Sequence, residues 1–277
     1  MSSSSRPEPD PGSLSSNAQV RRAEGYHAWL LLFISANLAA IPLLATGHYL
    51  WAIAVFFLPA PWYAWQVLSP SARGLGPVTT HFQTNQREAW LTIDDGPHPE
   101  STPAMLELLD AHQARATFFL VGKNVQQHPK LVSEILRHGH TIGNHTNTHP
   151  QNTFWYASPK QTAHEIDACM AVLGNVGVTT KYFRPPVGLK NHALHSTLAQ
   201  RGLDLVLWNA RGFDTICDDP KKSLTRILSQ LKPGAIILVH ETPNKLNQQQ
   251  ELMTSLLTHL GREGYRCVIP TDESLVR

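Results

Sequence analysis

The most informative segment of the sequence reads Leu91-Thr92-Ile93-Asp94-Asp95-Gly96-Pro97. It is a short apolar run that ends in two carboxylates and a Gly-Pro turn, a pattern that predicts a buried β-strand. Neighbouring side chains of a strand point to opposite faces, so Asp94 and Asp95 can serve one site only where the strand ends. Taken alone, the segment also fits a strand followed by an ordinary polar turn.

Short apolar runs of this kind alternate with amphipathic helical patterns along residues 88–272, which predicts an α/β domain. Seven strands are predicted, near residues 89–94, 116–121, 141–144, 182–184, 205–208, 235–240 and 266–269. No G-x-G-x-x-G or G-x-x-x-x-G-K motif follows a predicted strand. The sequence therefore lacks the main signature of a nucleotide-binding fold.

Polar side chains lie at or just after the ends of several predicted strands. His145 and His149 have the i, i+4 spacing that lets two imidazoles bind one metal ion if the segment forms a helical turn. The chain has 15 histidines, so about one such pair is expected by chance and the spacing alone is weak evidence. Singly, Arg184, Asp214 and His240 fit a surface ion pair, a turn residue and a buried core histidine. Together with the two acids, they indicate one active site.

The N-terminal part of the chain has a different composition. Residues 1–27 are rich in Ser and Pro, which predicts a disordered polar tail. Residues 28–68 contain no Asp, Glu, Lys or Arg, and Pro42 and Gly47 interrupt this run midway. Because a bilayer crossing needs about 20 apolar residues per helix, we predict a transmembrane hairpin of two helices, followed by a linker at 69–87.

Basic residues beside this hairpin predict its orientation. Arg21 and Arg22 precede the first helix and Arg73 follows the second, whereas the turn carries no basic residue. The positive-inside rule therefore predicts that both ends, and with them the catalytic domain, face the cytoplasm of a bacterial inner membrane.

The overall composition favours no charged partner. The net charge is only +2, and no basic stretch is interleaved with aromatic residues as nucleic-acid binding requires. The three cysteines lack C-x-x-C spacing, so neither a disulfide framework nor a thiolate zinc site is predicted. We therefore exclude nucleic acid as a partner.

Five motifs, in order, resemble those of the polysaccharide deacetylase family, carbohydrate esterase family four, whose catalytic unit is the NodB homology domain. They lie at residues 94–97, 145–149, 183–188, 208–214 and 234–241. The first two are close to the family pattern, and the combination is specific. The resemblance implies a distorted (β/α) barrel over residues 88–272, preceded by the helical hairpin.

The resemblance also implies a metal centre. Asp95, His145 and His149 would bind a divalent ion, with zinc as the first choice and cobalt or another divalent ion as alternatives. Asp94 would be the general base, and Arg184 would orient it. Two imidazoles, one carboxylate and an open position suit zinc, which polarises an acyl oxygen and lowers the pKa of bound water.

The same resemblance implies how the oxyanion, the acyl group and the leaving group are handled. The backbone N–H of Val187 would join the metal in stabilising the oxyanion, and Leu238 would line the pocket for the acyl methyl. His240 would protonate the departing amine, while Asp214 would keep that imidazole charged and oriented.

Three residues depart from the family pattern. Family members carry an aromatic residue where Val187 stands, an acid where Arg211 stands, and a tryptophan where Thr215 follows Asp214. These departures leave the metal ligands and the base unchanged and concern the sugar-binding groove. The resemblance therefore implies deacylation without implying a long polysaccharide chain.

We therefore predict a metal-dependent hydrolase that removes an N-acyl group, acetyl first, from an amino sugar in a glycolipid, oligosaccharide or polysaccharide. The hairpin favours a lipid-linked sugar at the membrane surface. Three alternatives stay open. One is deacetylation of a cell-wall or exported polymer in the periplasm, which needs the opposite membrane orientation. The others are an imide or amide hydrolase that acts on a small molecule, and a catalytically silent glycan-binding membrane protein. The intact Asp94 argues against the silent protein, since binding alone needs no base.

Overall fold

The computed structural model describes residues 30–277. The predicted polar tail, residues 1–27, lies outside the described residues, as do residues 28 and 29 of the predicted hairpin. The helices are α1 (Leu30–Ala45), α2 (Tyr49–Phe57), α3 (Pro59–Leu68), α4 (Ser101–Ala111), α5 (Gly122–Gln127), α6 (Pro129–Arg137), α7 (Pro159–Asn175), α8 (Leu194–Gln200), α9 (Pro220–Gln230) and α10 (Leu246–Arg262). The strands are β1 (Glu88–Asp94), β2 (Ala116–Leu120), β3 (Thr141–Asn144), β4 (Tyr182–Phe183), β5 (Asp204–Leu205), β6 (Ala210–Arg211), β7 (Ala235–His240) and β8 (Arg266–Cys267).

These strands form one parallel sheet in the order β5-β4-β3-β2-β1-β7-β6, with β8 paired to β1. The sheet is curled into a half-barrel. One apolar cluster fills the space between its outer face and the helices, and a second fills the barrel interior. The predicted α/β barrel is therefore confirmed, as an open barrel.

Strand β1 shows how the two-residue period of a strand divides the core. Leu91 and Ile93 belong to the outer cluster, which also includes side chains of α4 and α10. Trp90 belongs to the inner cluster, and Thr92 and Asp94 follow it on the same face. Asp94 therefore reaches the barrel interior at the C-terminal end of the central strand.

The chain between β5 and β6 differs from the strand predicted at residues 205–208. Strand β5 ends at Leu205, and β6 begins at Ala210. Between them, the side-chain Oδ1 of Asn209 accepts the N–H of Ile236 at 3.0 Å, and the Asn209 N–H donates to the Ile236 carbonyl at 3.2 Å. The side-chain amide of Asn209 thus takes the place of a backbone carbonyl in the pairing with β7. The strand is interrupted there, and a separate short strand, β6, precedes Asp214.

Residues 69–87, predicted as a linker, pack against the barrel. Val78 and Phe82 are buried in the inner cluster. The N–H of Thr79 donates to the carbonyl of Leu205, and the N–H of Phe82 donates to that of Gly234, both at 2.9 Å. The segment therefore connects the end of β5 to the beginning of β7.

The apolar N-terminal region contains two helical stretches joined by a turn at Gly47. The second stretch is α2 followed directly by α3, and Leu58 between them keeps helical backbone angles. Tyr49–Leu68 is therefore one apolar helix of 20 residues with a mean hydropathy of 1.3, long enough to cross a membrane. Helix α1 is shorter. The described residues thus contain one helix of crossing length, where the sequence predicts two.

Gly234, just before β7, offers a test of packing in the barrel. Its φ is +78°, and a Cβ there would overlap the carbonyl oxygen of Phe82. Gly264 has a similar φ of +73°, but a Cβ added there would have no heavy atom within 4 Å. We expect Gly264→Ala to lower the free energy of unfolding by about 1 kcal/mol, and Gly234→Ala to lower it by about 2 kcal/mol more, because only the latter forces a backbone clash. Denaturant unfolding followed by circular dichroism measures both losses, and equal losses would contradict this packing.

Candidate active site

Acidic and imidazole side chains meet at the C-terminal ends of β1 and β3. Asp95 directly follows β1, and His145 and His149 follow β3. The Nε2 atom of His145 lies 3.4 Å from Oδ1 of Asp95, and that of His149 lies 3.2 Å from the same oxygen. One potential ligand atom from each residue lies within 4.8 Å of the other two. The structure therefore brings the three predicted metal ligands together.

The hydrogen bonds around this cluster fit a bound cation. The Nδ1 atom of His145 lies 2.8 Å from the carbonyl oxygen of Arg184, which can only accept, so Nδ1 carries a hydrogen and Nε2 presents its lone pair whenever the ring is neutral. Among residues 30–277, no group donates a hydrogen bond to the buried Oδ1 of Asp95. Lone pairs that converge on a shared point, with the far ring nitrogen held by a carbonyl, are typical of a metal site.

Electrostatics favour positive charge at the same point. Burial opposes protonation of His145, but Asp94 and Asp95 together raise its pKa above the ordinary value. Burial and the neighbouring His145 lower the pKa of His149 to about 4, so its imidazole is neutral and available as a ligand at neutral pH. Two carboxylates beside two imidazoles therefore form a negative pocket that a divalent cation suits.

The loop from His145 to His149 is not the helical turn from which the sequence predicted convergence. Thr146 and His149 have positive φ values of 67° and 52°, which a helical turn excludes. The side chain of Asn144 accepts the N–H of Thr146 at 2.9 Å, and the hydroxyl of Thr146 accepts the N–H of His149 at 3.2 Å. Side-chain hydrogen bonds, rather than helical spacing, bring the two imidazoles together.

Glu165 on α7 supports this loop and was not predicted from the sequence. Its Oε2 accepts the N–H groups of Asn147 and Thr148 at 3.0 and 2.8 Å, and its Oε1 accepts the hydroxyl of Thr148 at 2.7 Å. The carboxylate thus fixes the two residues that precede the predicted ligand His149. Nothing in the local pattern of an amphipathic helix marks such a residue, because its partners lie 17 and 18 residues away.

Glu241 supports the turn that follows Asp95 and was also not predicted. The hydroxyls of Ser101 and Thr102 donate to its Oε2 at 2.6 and 2.7 Å, and a Cβ at Gly96 would overlap its side chain. Burial raises the pKa of this carboxyl to about 7. The residue next to His240 therefore holds the loop that carries Asp95, one of the predicted metal ligands.

Asp94 and Arg184 form a buried ion pair beside the cluster. Asp94 is 2% exposed and Arg184 is fully buried. One guanidinium nitrogen donates to Oδ1 of Asp94 at 2.7 Å and to the hydroxyl of Thr92 at 2.9 Å, while the others donate to backbone carbonyls at Val206 and Leu207. The second oxygen of Asp94, Oδ2, lies 3.7 Å from Nε2 of His145. One carboxylate oxygen is thus held by Arg184, and the other faces the predicted metal ligand His145.

His240 and Asp214 form a second pair on the opposite side of the site. Asp214 accepts the backbone N–H of His240 on Oδ2 at 2.8 Å and lies 3.0 Å from ring Nδ1 through Oδ1. Burial alone would favour a neutral ring, but Asp214 raises the pKa of His240 to about 9. The imidazole is therefore charged at neutral pH, with Nδ1 committed to Asp214.

A family described as Polysaccharide deacetylase matches residues 81–206. Over 199 residues the chain is 32% identical to a peptidoglycan-N-acetylglucosamine deacetylase of Bacillus cereus, a match that covers 71% of this chain and 92% of the relative. The chain belongs to the polysaccharide deacetylase family. It is accordingly a hydrolase of amide carbon–nitrogen bonds, as the sequence predicted.

Other members of the family agree in sequence and in fold. A chitooligosaccharide deacetylase of Bradyrhizobium is 31% identical over 157 residues, 56% of this chain and 71% of the relative. The crystal structure of a peptidoglycan N-acetylglucosamine deacetylase bound to 4-naphthalen-1-yl-N-oxidanyl-benzamide superposes with a TM-score of 0.65 at 29% identity, over 69% of this chain and 89% of that one. The family resemblance predicted from the five motifs is therefore confirmed.

Val187 and Leu238 occupy two different environments in this deacetylase. Val187 is half exposed and has a φ of +50°, a backbone conformation that costs a β-branched residue energy and often marks a functional site. Within the described part of the chain, its N–H donates to no acceptor. Leu238 is buried in the inner cluster, two residues before His240. The loop at Val187 thus offers a free donor, and Leu238 an apolar wall.

The His240–Asp214 pair predicts a pH effect in this deacetylase. If His240 must carry a proton, kcat/KM falls as the pH rises through the pKa of His240. Asp214→Asn removes the carboxylate that raises this pKa. The alkaline limb of the pH profile of kcat/KM should therefore shift to lower pH by about one unit or more. Asp218→Asn, which changes an exposed carboxylate of the same loop, should leave the limb in place. An unmoved limb in Asp214→Asn would contradict the pairing.

Proposed function

We propose that this protein is a metal-dependent deacetylase that hydrolyses the N-acetyl group of an amino sugar at a membrane surface. The observation that carries the proposal is the arrangement around Asp95, His145 and His149, with the Asp94–Arg184 pair on one side and the His240–Asp214 pair on the other. The relatives named for N-acetylglucosamine and chitooligosaccharide support an amino sugar as the acyl carrier.

Asp95, His145 and His149 would hold a divalent ion, which would polarise the acyl oxygen as a Lewis acid and make bound water more acidic. Two imidazoles and one carboxylate form a ligand set that suits zinc, which we propose as the resident metal, with cobalt as a competent substitute. The other steps belong to side chains of the protein.

Asp94 is proposed to accept the proton of the attacking water on Oδ2, the oxygen that faces the metal ligands. Arg184 holds the opposite oxygen, so the carboxylate keeps one orientation while the water attacks the acyl carbon. The free N–H of Val187 donates to the acyl oxygen as negative charge develops there, where a fixed donor stabilises the transition state most.

His240 is proposed to complete the reaction by donating the proton on Nε2 to the departing nitrogen. An amine leaves poorly unless it is protonated, and the pKa of His240 supplies a charged donor at neutral pH. The carbon–nitrogen bond breaks, the carbon–oxygen bond has formed, and acetate and a free amino sugar result. Leu238 borders the space for the acetyl methyl.

The N-terminal helices support a membrane location. Large apolar side chains there are exposed to the surroundings, among them Leu31, Leu38, Leu50 and Trp51. A soluble surface rarely carries an apolar patch of more than a few hundred Å². Lipid would shield these apolar side chains from water, so we propose that residues 28–68 form the membrane anchor.

Small residues mark the packed side of this anchor. Ala36, Ala40 and Ala52 are buried, and small side chains allow close approach of helices in a bilayer. We therefore propose that α1 and the helix formed by α2 and α3 cross or enter the membrane as a pair.

Hydrogen bonds connect the anchor to the catalytic loop. The buried ammonium of Lys190 donates to the carbonyls of Ser69 and Ala72 at 2.8 and 2.6 Å, and its backbone N–H donates to Val67 at 3.3 Å. Lys190 lies three residues after Val187. The end of α3 thus holds the loop beside the site, which supports a substrate presented at the bilayer, such as a lipid-linked amino sugar.

We propose a cytoplasmic orientation for the catalytic domain, because Arg73 follows α3 and the turn at Gly47 carries no basic residue. A reporter enzyme that functions only in the cytoplasm, fused after Arg277, should be active. A periplasm-specific reporter that is active at the same position would place the domain on the other side.

The function is tested by measuring acetate released by the purified full-length protein in lipid vesicles. We expect release from N-acetylated chitooligosaccharides and faster release from an N-acetylated glycolipid in the same vesicles. Turnover of cyclic imides or simple amides, with none from amino sugars, would instead identify a small-molecule amidohydrolase. Equal rates on both sugar substrates would contradict the membrane part of the proposal.

A further inference from the structure

Arg211 is a charged residue beside the active site that the proposed mechanism leaves without a role. It is the last residue of β6, and its Cα is in register with that of Leu238 on β7. Residues in register on parallel strands share a face. Leu238 belongs to the inner cluster, and Ala210 belongs to the outer one. The side chain of Arg211 therefore projects to the barrel interior, close to the level of His240.

Two aromatic rings hold the guanidinium of Arg211. Its Cζ lies 3.9 Å from the ring centroid of Phe213 and 5.3 Å from that of Trp208. Phe213 has a φ of +61°, a left-handed conformation that is unusual for a bulky residue. Strain of this kind is common at binding sites, and here it accompanies a ring stacked against the cation.

The same guanidinium has no anionic partner. Within residues 30–277 no carboxylate lies within 4.0 Å of it, and its N–H groups have no acceptor. Asp214, the acid that follows in the same loop, is committed to His240 through both oxygens. Burial lowers the pKa of Arg211 and Asp214 opposes that shift, so the cation is partly desolvated and has hydrogen-bond donors to spare.

Arg184 shows the contrast within the same barrel. Its Cζ lies 5.5 Å from the ring centroid of Trp208, comparable to the distance of Arg211 from that ring. Yet Arg184 is fully buried, and its nitrogens donate to Asp94, to Thr92 and to backbone carbonyls. The protein thus provides acceptors for the donors of Arg184, while within residues 30–277 it provides none for the guanidinium of Arg211.

We propose that Arg211 is a specificity-determining residue that binds an anionic group, a phosphate or a carboxylate, carried by the amino-sugar substrate. The inference rests on the proposed deacetylase function and adds the charge of the substrate to it. A planar guanidinium pairs with two oxygens of such a group, and stacking on Phe213 fixes its plane for that contact. Arg226 places a second positive charge near the same ring, with its Cζ 5.7 Å from the ring centroid.

The two sources of the anion differ in chemistry. A phosphate would come from the ester that links a sugar to a lipid carrier, and a carboxylate would come from an acidic substituent on the sugar itself. Three acetylated compounds separate them: a neutral chitooligosaccharide, N-acetylglucosamine 1-phosphate and N-acetylmuramic acid. Acetate release is measured for the wild type, Arg211→Gln, Arg211→Lys and a control, Arg262→Gln, which changes an exposed arginine at the end of α10.

We expect Arg211→Gln to lower the ratio of kcat/KM for the anionic compound to that for the neutral one by about tenfold or more. The loss should lie in KM rather than kcat, since the proposed contact is made on binding. Arg211→Lys should recover part of the ratio, and Arg262→Gln should keep it. If the ratio falls for only one of the two anionic compounds, its phosphate or its carboxylate is identified as the group that Arg211 binds. An unchanged ratio for both anionic compounds would overturn the proposal.

A binding measurement separates this inference from the deacetylase proposal. Calorimetry with inorganic phosphate needs no turnover, and Arg211→Gln should weaken phosphate binding about tenfold relative to the wild type and Arg262→Gln. If no sugar releases acetate while phosphate binding still depends on Arg211, the proposed function fails and the anion site stands. If phosphate binds the wild type and Arg211→Gln equally, the anion site fails.

Discussion

Removal of the metal should abolish deacetylation by the purified protein. Treatment with a chelator is expected to lower kcat/KM by at least about 10³-fold, because Lewis-acid stabilisation of several kcal/mol is lost, and added zinc or cobalt should restore it. His149→Gln should produce the same loss and bind no metal at stoichiometric concentration. Metal content after dialysis and acetate release measure the two effects together.

His112→Gln is the matched control for that experiment, because it changes an exposed histidine that caps the C-terminal end of α4. It should keep both the metal and the activity. Full activity in protein shown to be free of divalent ions would contradict the role proposed for Asp95, His145 and His149. Retention of the metal by His149→Gln would contradict the ligand assignment alone.

Replacement of the proposed base should separate catalysis from metal binding. Asp94→Asn is expected to lower kcat by about 10³-fold while leaving metal affinity close to that of the wild type, because the proposed ligands are Asp95 and the two histidines. The amide keeps the shape of the side chain and can still accept the hydrogen bond from Arg184. Single-turnover acetate release and metal titration measure the two quantities.

Loss of the Asp94 charge also leaves the buried Arg184 without its anion, which destabilises a protein by about 3–5 kcal/mol in comparable pairs. Thermal unfolding of Asp94→Asn therefore has to accompany the kinetics. A folded, metal-loaded variant that keeps wild-type turnover would show that another group accepts the proton. A variant that loses the metal as well would show that Asp94 contributes to the metal site.

The sequence predicted the acids of the site because their positions follow from local periodicity. The apolar run that ends at Asp94 and the Gly-Pro turn after Asp95 place both carboxylates at the end of a central strand. The five motifs then indicated the family, which the comparisons confirm. The N-terminal charge-free run was equally visible, although the structure provides one helix of membrane-crossing length in residues 30–277 instead of two.

The reason given for the two histidines was wrong even though the structure brings them together. Spacing of i, i+4 predicts convergence through a helical turn, but Thr146 and His149 have left-handed backbone angles. Asn144 and Glu165 hold the loop instead. These hydrogen bonds come from side chains, and that of Glu165 comes from a residue distant in sequence. The period of apolar residues along the chain therefore does not predict them.

By itself, the sequence determined the alternation of strands and helices, the family and the identity of the side chains that could do chemistry, because these depend on residue type and short-range order. Only the tertiary structure decided that residues 69–87 pack on the barrel, that Lys190 joins the end of α3 to the loop after Val187, and that Arg211 stacks on Phe213 without an anion. Each of these depends on whether a residue distant in sequence lies close enough to bind a charge or a backbone donor. Only the folded chain fixes those distances.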